Sequence, residues 1–149
     1  MLRILAVCTG NTCRSPMVAA LLGEALRRAG IPAVIDSAGT GANPGDRASH
    51  GAQAAMARRG INLSEHRSRP VDGLDLSAYD RVLTVSSRHA AFLRSQGVPA
   101  DRLEVLAAER GGLADPWGGD DAVYEATARQ IEAEAARLAA MLAGSNPSA

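Results

Sequence analysis

Leu2 to Val7 is a short, mostly apolar run of strand length that ends at a loop of Gly, Asn and Thr. The apolar period then changes. Met17, Leu21, Leu22, Ala25 and Leu26 recur at helical spacing, Pro16 stands where a first-turn proline belongs, and Gly30 supplies a stop. Ala33 to Ser37 predicts a second strand, and the Gly-, Asn- and Pro-containing stretch from Ser37 to Gly45 predicts a loop. Ser49 is placed to cap a helix running through Arg58 and stopped by Gly60. Arg81 to Val85 predicts a third strand, about Ser87 to Ser95 a helix, and Leu103 to Leu106 a short fourth strand. Asp121 to Leu142 predicts a long Ala-rich amphipathic helix, with Asp120 and Asp121 at its start and Val123, Ile131, Leu138 and Leu142 on or near its apolar face. Residues 144–149 predict a flexible tail after one domain spanning 1–143.

Strands that alternate with helices predict an α/β fold: a single domain with a four-stranded parallel sheet and helices on both faces. In such sheets ligands bind beyond the carboxyl ends of the strands. That directs attention to the loop after the first strand.

The chain has 149 residues, enough for a core without disulfides or metal. Sixteen basic and sixteen acidic residues cancel, which gives no electrostatic case for a nucleic-acid or membrane partner. No apolar run reaches the length of a membrane span, and the first residues lack signal-peptide design, which points to the cytoplasm. Two cysteines make no disulfide framework. A monomer is expected, because no long apolar stripe is left once the sheet is covered.

The candidate chemistry lies in Val7-Cys8-Thr9-Gly10-Asn11-Thr12-Cys13-Arg14-Ser15-Pro16. A strand delivers Cys8 to the loop and a helix starts at its end. Backbone N–H groups of such a loop, with the helix N-terminus behind them, form an anion cradle whose natural ligand is phosphate or another oxyanion. Gly10 permits a tight path, and Asn11 tolerates left-handed backbone angles. Arg14 can clamp phosphoryl oxygens with two prongs. The same positive field favours a nucleophilic thiolate at Cys8. The competing reading is a buried structural cysteine with an unrelated arginine. The loop lacks the lysine and second glycine of a GxxxxGK[ST] phosphate loop and contains no GxGxxG. Cys8 and Cys13 would need two more ligands from His50, His66 and His89 to complete a zinc site, and the spacings match no common one, so no metal or other cofactor is expected.

This run resembles the low-molecular-weight protein tyrosine phosphatase family, whose signature V-C-x-G-N-x-C-R-S-P is matched at each fixed position from Val7 to Pro16. The family's second element, an Asp-Pro on a loop near the C-terminus, is matched by Asp115-Pro116-Trp117-Gly118-Gly119, and Ser37-Ala38-Gly39 is a further landmark. The resemblance implies a phosphorylated protein as substrate and no metal. Cys8 would form a phosphocysteine while Arg14 and the loop amides stabilise the equatorial oxygens. Asp115 would protonate the leaving atom and then serve as base. Ser15 would hydrogen-bond the Cys8 sulfur, and Asn11 would hold the loop's strained shape.

Two departures bear on the substrate. The loop Thr40 to Gly45 has no aromatic residue, and Trp117 and Gly118 follow the Asp-Pro where phosphotyrosine enzymes often carry tyrosines. Thr12 replaces the usual aliphatic residue. The V-C-T-G-N-T-C-R-S-P-M run, the Asp-Pro-aromatic-Gly-Gly element and Tyr124 resemble the bacterial protein arginine phosphatases. There the threonine orients a water and favours a polar guanidinium. The resemblance thus implies phosphoarginine, with phosphotyrosine as the alternative, and a substrate site of Thr9, Gly10, Asn11, Thr12, Cys13, Ser15 and Trp117. Cys13 is either a small buried residue or a resolving thiol for an oxidised Cys8. An arsenate reductase on this scaffold would need further cysteines, and a non-catalytic phosphate-binding module would lose Cys8 or Asp115. His50, His66 and His89 have no neighbours of a general base in the sequence. Arg27-Arg28 and Arg58-Arg59 are expected as solvated helix ends.

Overall fold

A computed structural model describes residues 1–144, so residues 145–149 of the expected tail lie outside the described residues. The elements follow in the order β1 (Leu2–Cys8), α1 (Arg14–Arg28), β2 (Ala33–Gly39), α2 (His50–Ala57), β3 (Arg81–Thr84), α3 (Ser87–Ser95), β4 (Leu103–Val105) and α4 (Asp121–Gly144). All four strands are parallel, in the order β2-β1-β3-β4. The single α/β domain with its four-stranded parallel sheet is the predicted one. Gly144, expected in the tail, closes α4.

Ile4 to Val7 of β1 are all buried, and the two-residue period of a strand divides them between two cores. Ile4, Ala6 and Cys8 join a cluster with Met17 and Leu22 of α1, Met56 of α2, and Ile131 and Leu138 of α4. Leu5 and Val7 join a smaller one with Val82, Tyr79, Val98 and Leu93 of α3. A strand covered on both faces reads as a continuous apolar run for this reason.

Three expectations need correction. Ala38-Gly39 is not loop but the end of β2, which runs two residues past Ser37 because Ala38 and Gly39 stay in register with Val7 and Cys8. Gly39 is required there: a Cβ would stand 2.2 Å from the Thr9 carbonyl oxygen. Val123 is exposed, since α4 turns Tyr124, Thr127, Ala128, Ile131, Ala135 and Leu138 inward and Val123 lies about 80° round from Ile131. Arg58-Arg59 is not a solvated helix end. Arg59 is largely covered and pairs with Glu125 and Glu132 of α4, while Arg58 shares Glu125. The hydrogen bonds from Arg59, then Arg58, hold the Glu125 carboxyl down to about 2. The network clamps α2 to α4. Arg27 and Arg28 pair instead with Glu24 on their own helix.

The chain winds from β1 outward to β2 on one side and to β3 and β4 on the other. The strand order therefore reverses between β1 and β3, and the crevice at the carboxyl ends of those two strands is the expected ligand position. The Cys8 loop follows β1 there, and Val85-Ser86 follows β3.

Candidate functional site

Residues 9–13 connect β1 to α1, and Cys13 is the N-cap residue of α1 without a side-chain capping bond. The first turn of α1 carries no acidic residue. The amides of Gly10, Thr12, Cys13, Arg14 and Ser15 have no hydrogen-bond partner among the described residues. Pro16, third in the helix, has no N–H to satisfy. A row of free donors at a helix N-terminus is an anion site in waiting.

Asn11 is the loop's internal brace. Its φ of 57° is left-handed and its side chain is fully buried. Its Nδ2 donates to Ser15 Oγ at 2.8 Å and to Ser37 Oγ at 3.0 Å, and its Oδ1 accepts from the Arg69 amide at 2.9 Å. Its carbonyl meets His66 Nε2 at 2.7 Å. Because Asn11 donates to Ser15, the Ser15 hydroxyl proton goes out to another acceptor, and Cys8 Sγ at 2.9 Å is closer than the Ala38 carbonyl at 3.5 Å. The Asn11 amide donates to the same sulfur at 3.2 Å. Two donors on one sulfur suit a negatively charged atom there.

A cavity of about 300 Å³ opens beside this loop, lined by Cys8, Thr9, Gly10, Thr12, Cys13, Arg14, Asp115 and Trp117. Larger hollows lie elsewhere on the surface, but none of them is lined by this set. Arg14 is buried; its Nη1 donates to the Leu113 carbonyl at 3.2 Å, and its Nη2 stands 3.6 Å from Asp115 Oδ2. The Asp115 side chain is 59% exposed, with Oδ1 accepting from the Trp117 amide at 3.1 Å. Trp117 is 76% exposed and forms one edge of the opening. Thiol, guanidinium, carboxyl and free amides thus meet in one hollow. That set can hold a tetrahedral oxyanion, attack it from sulfur and pass a proton to a departing atom.

Cys13 is also buried, and no disulfide joins it to Cys8. Its sulfur lies 3.3 Å from Ser49 Oγ and 3.3 Å from the Tyr124 hydroxyl. Burial, then the contact with Cys13, raises the Tyr124 phenol above its ordinary value, so the hydroxyl keeps its proton as a donor. Every site residue proposed from the sequence either lines the hollow or, for Asn11 and Ser15, braces the loop behind it.

Other participants were missed. His66 and His89 reach into the loop, and Ser37, Arg69, Ser49, Ser86 and Leu113 hold it from outside. Most of these contacts join residues far apart in sequence. Ser86-x-x-His89, a polar cap at the end of the strand beside β1, is a readable signal once the strand order is known.

Residues 3–147 match the family described as low molecular weight phosphotyrosine protein phosphatase. The chain belongs to that family. With it comes the class of enzyme, a phosphatase that acts on phosphorylated protein. The chain is 34% identical over 144 residues to the protein-arginine-phosphatase of Bacillus subtilis (strain 168), covering 93% of this chain and 95% of the relative. It is 35% identical over 133 residues to a probable low molecular weight protein-tyrosine-phosphatase of Ralstonia nicotianae, covering 87% and 88%. Among solved structures, an arginine phosphatase variant with a phosphorylated active-site serine superposes with a TM-score of 0.90 at 32% identity, over 99% of both chains. Among the described residues no helix is long and apolar enough to cross a membrane.

Proposed function

We propose that this phosphatase works through a phosphocysteine on Cys8 and that its substrate is protein phosphoarginine. Cys8 sulfur attacks phosphorus in line, and the P–N bond breaks as the phosphoryl group passes to sulfur. Asp115 gives its proton to the departing guanidino nitrogen. Water then attacks phosphorus with Asp115 taking its proton, and the P–S bond breaks to return the thiolate and inorganic phosphate. Arg14 and the free amides of the loop spread the charge of the equatorial oxygens in both steps.

The observation that carries this reading is the single hollow that unites Cys8, Arg14 and Asp115, drawn from opposite ends of the chain. For phosphoarginine over phosphotyrosine, the support is the hydroxyl of Thr12 on the wall and the absence of any lining aromatic other than Trp117. A planar, polar guanidinium needs a hydrogen-bonding rim, whereas a phenyl ring needs an apolar slot. Trp117 favours the second reading, phosphotyrosine, because an exposed indole can serve as one flat wall. Side-by-side hydrolysis of a phosphoarginine protein and a phosphotyrosine peptide separates the two. Phosphoarginine preference that Thr12→Ile shifts toward phosphotyrosine supports the reading; phosphotyrosine preference in the wild type overturns it.

Cys13 belongs to the same proposal as a resolving thiol. Peroxide oxidises the Cys8 thiolate to the sulfenic acid, and the Cys13 thiol then displaces water to form a disulfide that an external thiol reduces. Action as a monomer in the cytoplasm completes the reading.

A further inference from the structure

We propose that His89 is a positioning residue of this site: a neutral imidazole that fixes the Thr9 hydroxyl with its proton turned into the hollow, where it donates to an oxygen of the bound oxyanion. The inference rests on the reading of the hollow as a phosphoryl site.

His89 is the third residue of α3 and is almost fully buried. Its Nδ1 meets Ser86 Oγ, and its Nε2 meets Thr9 Oγ1 at 2.7 Å. Hydrogen-bond accounting selects the tautomer. Ser86 Oγ already accepts the His89 amide as the N-cap of α3, at 3.3 Å. Its own proton needs an acceptor, and Nδ1 is the acceptor in contact. The ring proton therefore sits on Nε2 and is given to Thr9 Oγ1. The other tautomer would leave the half-buried Ser86 proton without an acceptor. Thr9 keeps one proton to donate, and Thr9 is exposed and lines the hollow.

Charge agrees with this geometry. Burial, with the nearby guanidinium groups of Arg14 and Arg88, pushes His89 down to about 4, against the opposite pull of Asp115. The imidazole is neutral wherever the enzyme is folded at ordinary pH. The same Ser86 pairs with Gly112, and the Leu113 amide donates to the Val85 carbonyl at 2.8 Å. Arg14 in turn donates to the Leu113 carbonyl. His89 thus ties the Cys8 loop to the root of the segment that carries Asp115, at the point where the strand order reverses.

The test measures inorganic phosphate binding and turnover of a small aryl phosphate by the wild type, Thr9→Val, His89→Leu, His89→Gln and the Thr9→Val/His89→Leu double variant. Loss of one hydrogen bond to a charged ligand predicts about tenfold weaker phosphate binding for Thr9→Val and for His89→Leu alike. The double variant is no weaker than either single one, because both remove the same bond. His89→Gln, whose amide can donate in place of Nε2, stays within about twofold of the wild type on the same reasoning. Nitrogen-15 NMR of the wild-type imidazole shows the neutral Nε2–H form. That measurement and His89→Gln keep the inference open to refutation if His89→Leu does not fold. Additive losses in the double variant, unchanged binding in Thr9→Val, or an Nδ1–H imidazole would each overturn it. Failure of the wild type to bind phosphate would instead overturn the reading of the hollow, and the inference with it.

Discussion

Replacing Asn11 with alanine removes the brace of the loop, and the structure says what that costs. Three side-chain hydrogen bonds disappear, to Ser15, Ser37 and the Arg69 amide. Each is worth about 1 kcal/mol net, more where the abandoned partner stays buried. Ser15 is fully buried, so its loss stands at the upper end. Alanine must also hold a φ of 57°, which adds about 1 kcal/mol beyond what asparagine tolerates. Together these predict a loss of about 4 kcal/mol, a large part of the ~5–15 kcal/mol that holds a domain folded. Asn11→Gly keeps the left-handed angle and loses only the hydrogen bonds, so it should sit about 1 kcal/mol above alanine. Urea unfolding of the three proteins gives the ladder, and turnover measured beside it shows whether the loop keeps its shape. If the loop relaxes to escape the penalty, stability falls less but activity collapses, because Ser15 no longer points at the Cys8 sulfur. Asn11→Ala within 1 kcal/mol of the wild type and fully active would refute the argument.

Other consequences can be checked separately. Peroxide should inactivate the wild type reversibly and Cys13→Ala irreversibly; equal recovery of both on adding dithiothreitol would deny Cys13 a protective role. His89 is neutral in the fold down to about 4, while an unfolded histidine titrates near 6.5. The unfolded state therefore binds the extra proton first, and stability falls as pH drops from about 6.5 to about 4, by at most ~3 kcal/mol. Unfolding of His89→Gln should be flatter over that window, and parallel curves for the two proteins would contradict the assignment. Gly39→Ala would drive a Cβ to 2.2 Å from the Thr9 carbonyl oxygen. The loop must shift, at a cost of about 1–3 kcal/mol and with loss of turnover; a stable, active variant would mean that β2 and the loop are looser than described.

The architecture was legible because each element carries its own local signal. β1 is apolar on both faces, α1 changes period at Met17, and Ser49 caps α2 through its own hydroxyl. The phosphate loop was legible for the same reason: strand, Gly, Asn, Arg and helix start are contiguous. What failed to show was whatever depends on a neighbour from another part of the chain. Ala38-Gly39 looks like a loop by composition, and becomes strand only because Val7 and Cys8 lie beside it. Arg59 looks solvated until α4 brings Glu125 and Glu132 across it. His66 and His89 are unremarkable polar residues in their own segments. They become part of the site because the sheet order sets β3 next to β1 and the segment before β3 folds back over Asn11.

The central claim is a phosphoryl group carried on Cys8, and the most direct measurement is the intact mass of acid-quenched enzyme during turnover. An aryl phosphate with a good leaving group needs no acid in the first step, so Asp115→Asn should accumulate the adduct. Asp115→Asn should carry one phosphoryl group per chain, mapped to Cys8, and Cys8→Ala should show neither adduct nor turnover. Sustained hydrolysis by Cys8→Ala, or a phosphoryl group mapped to any other residue, would contradict it.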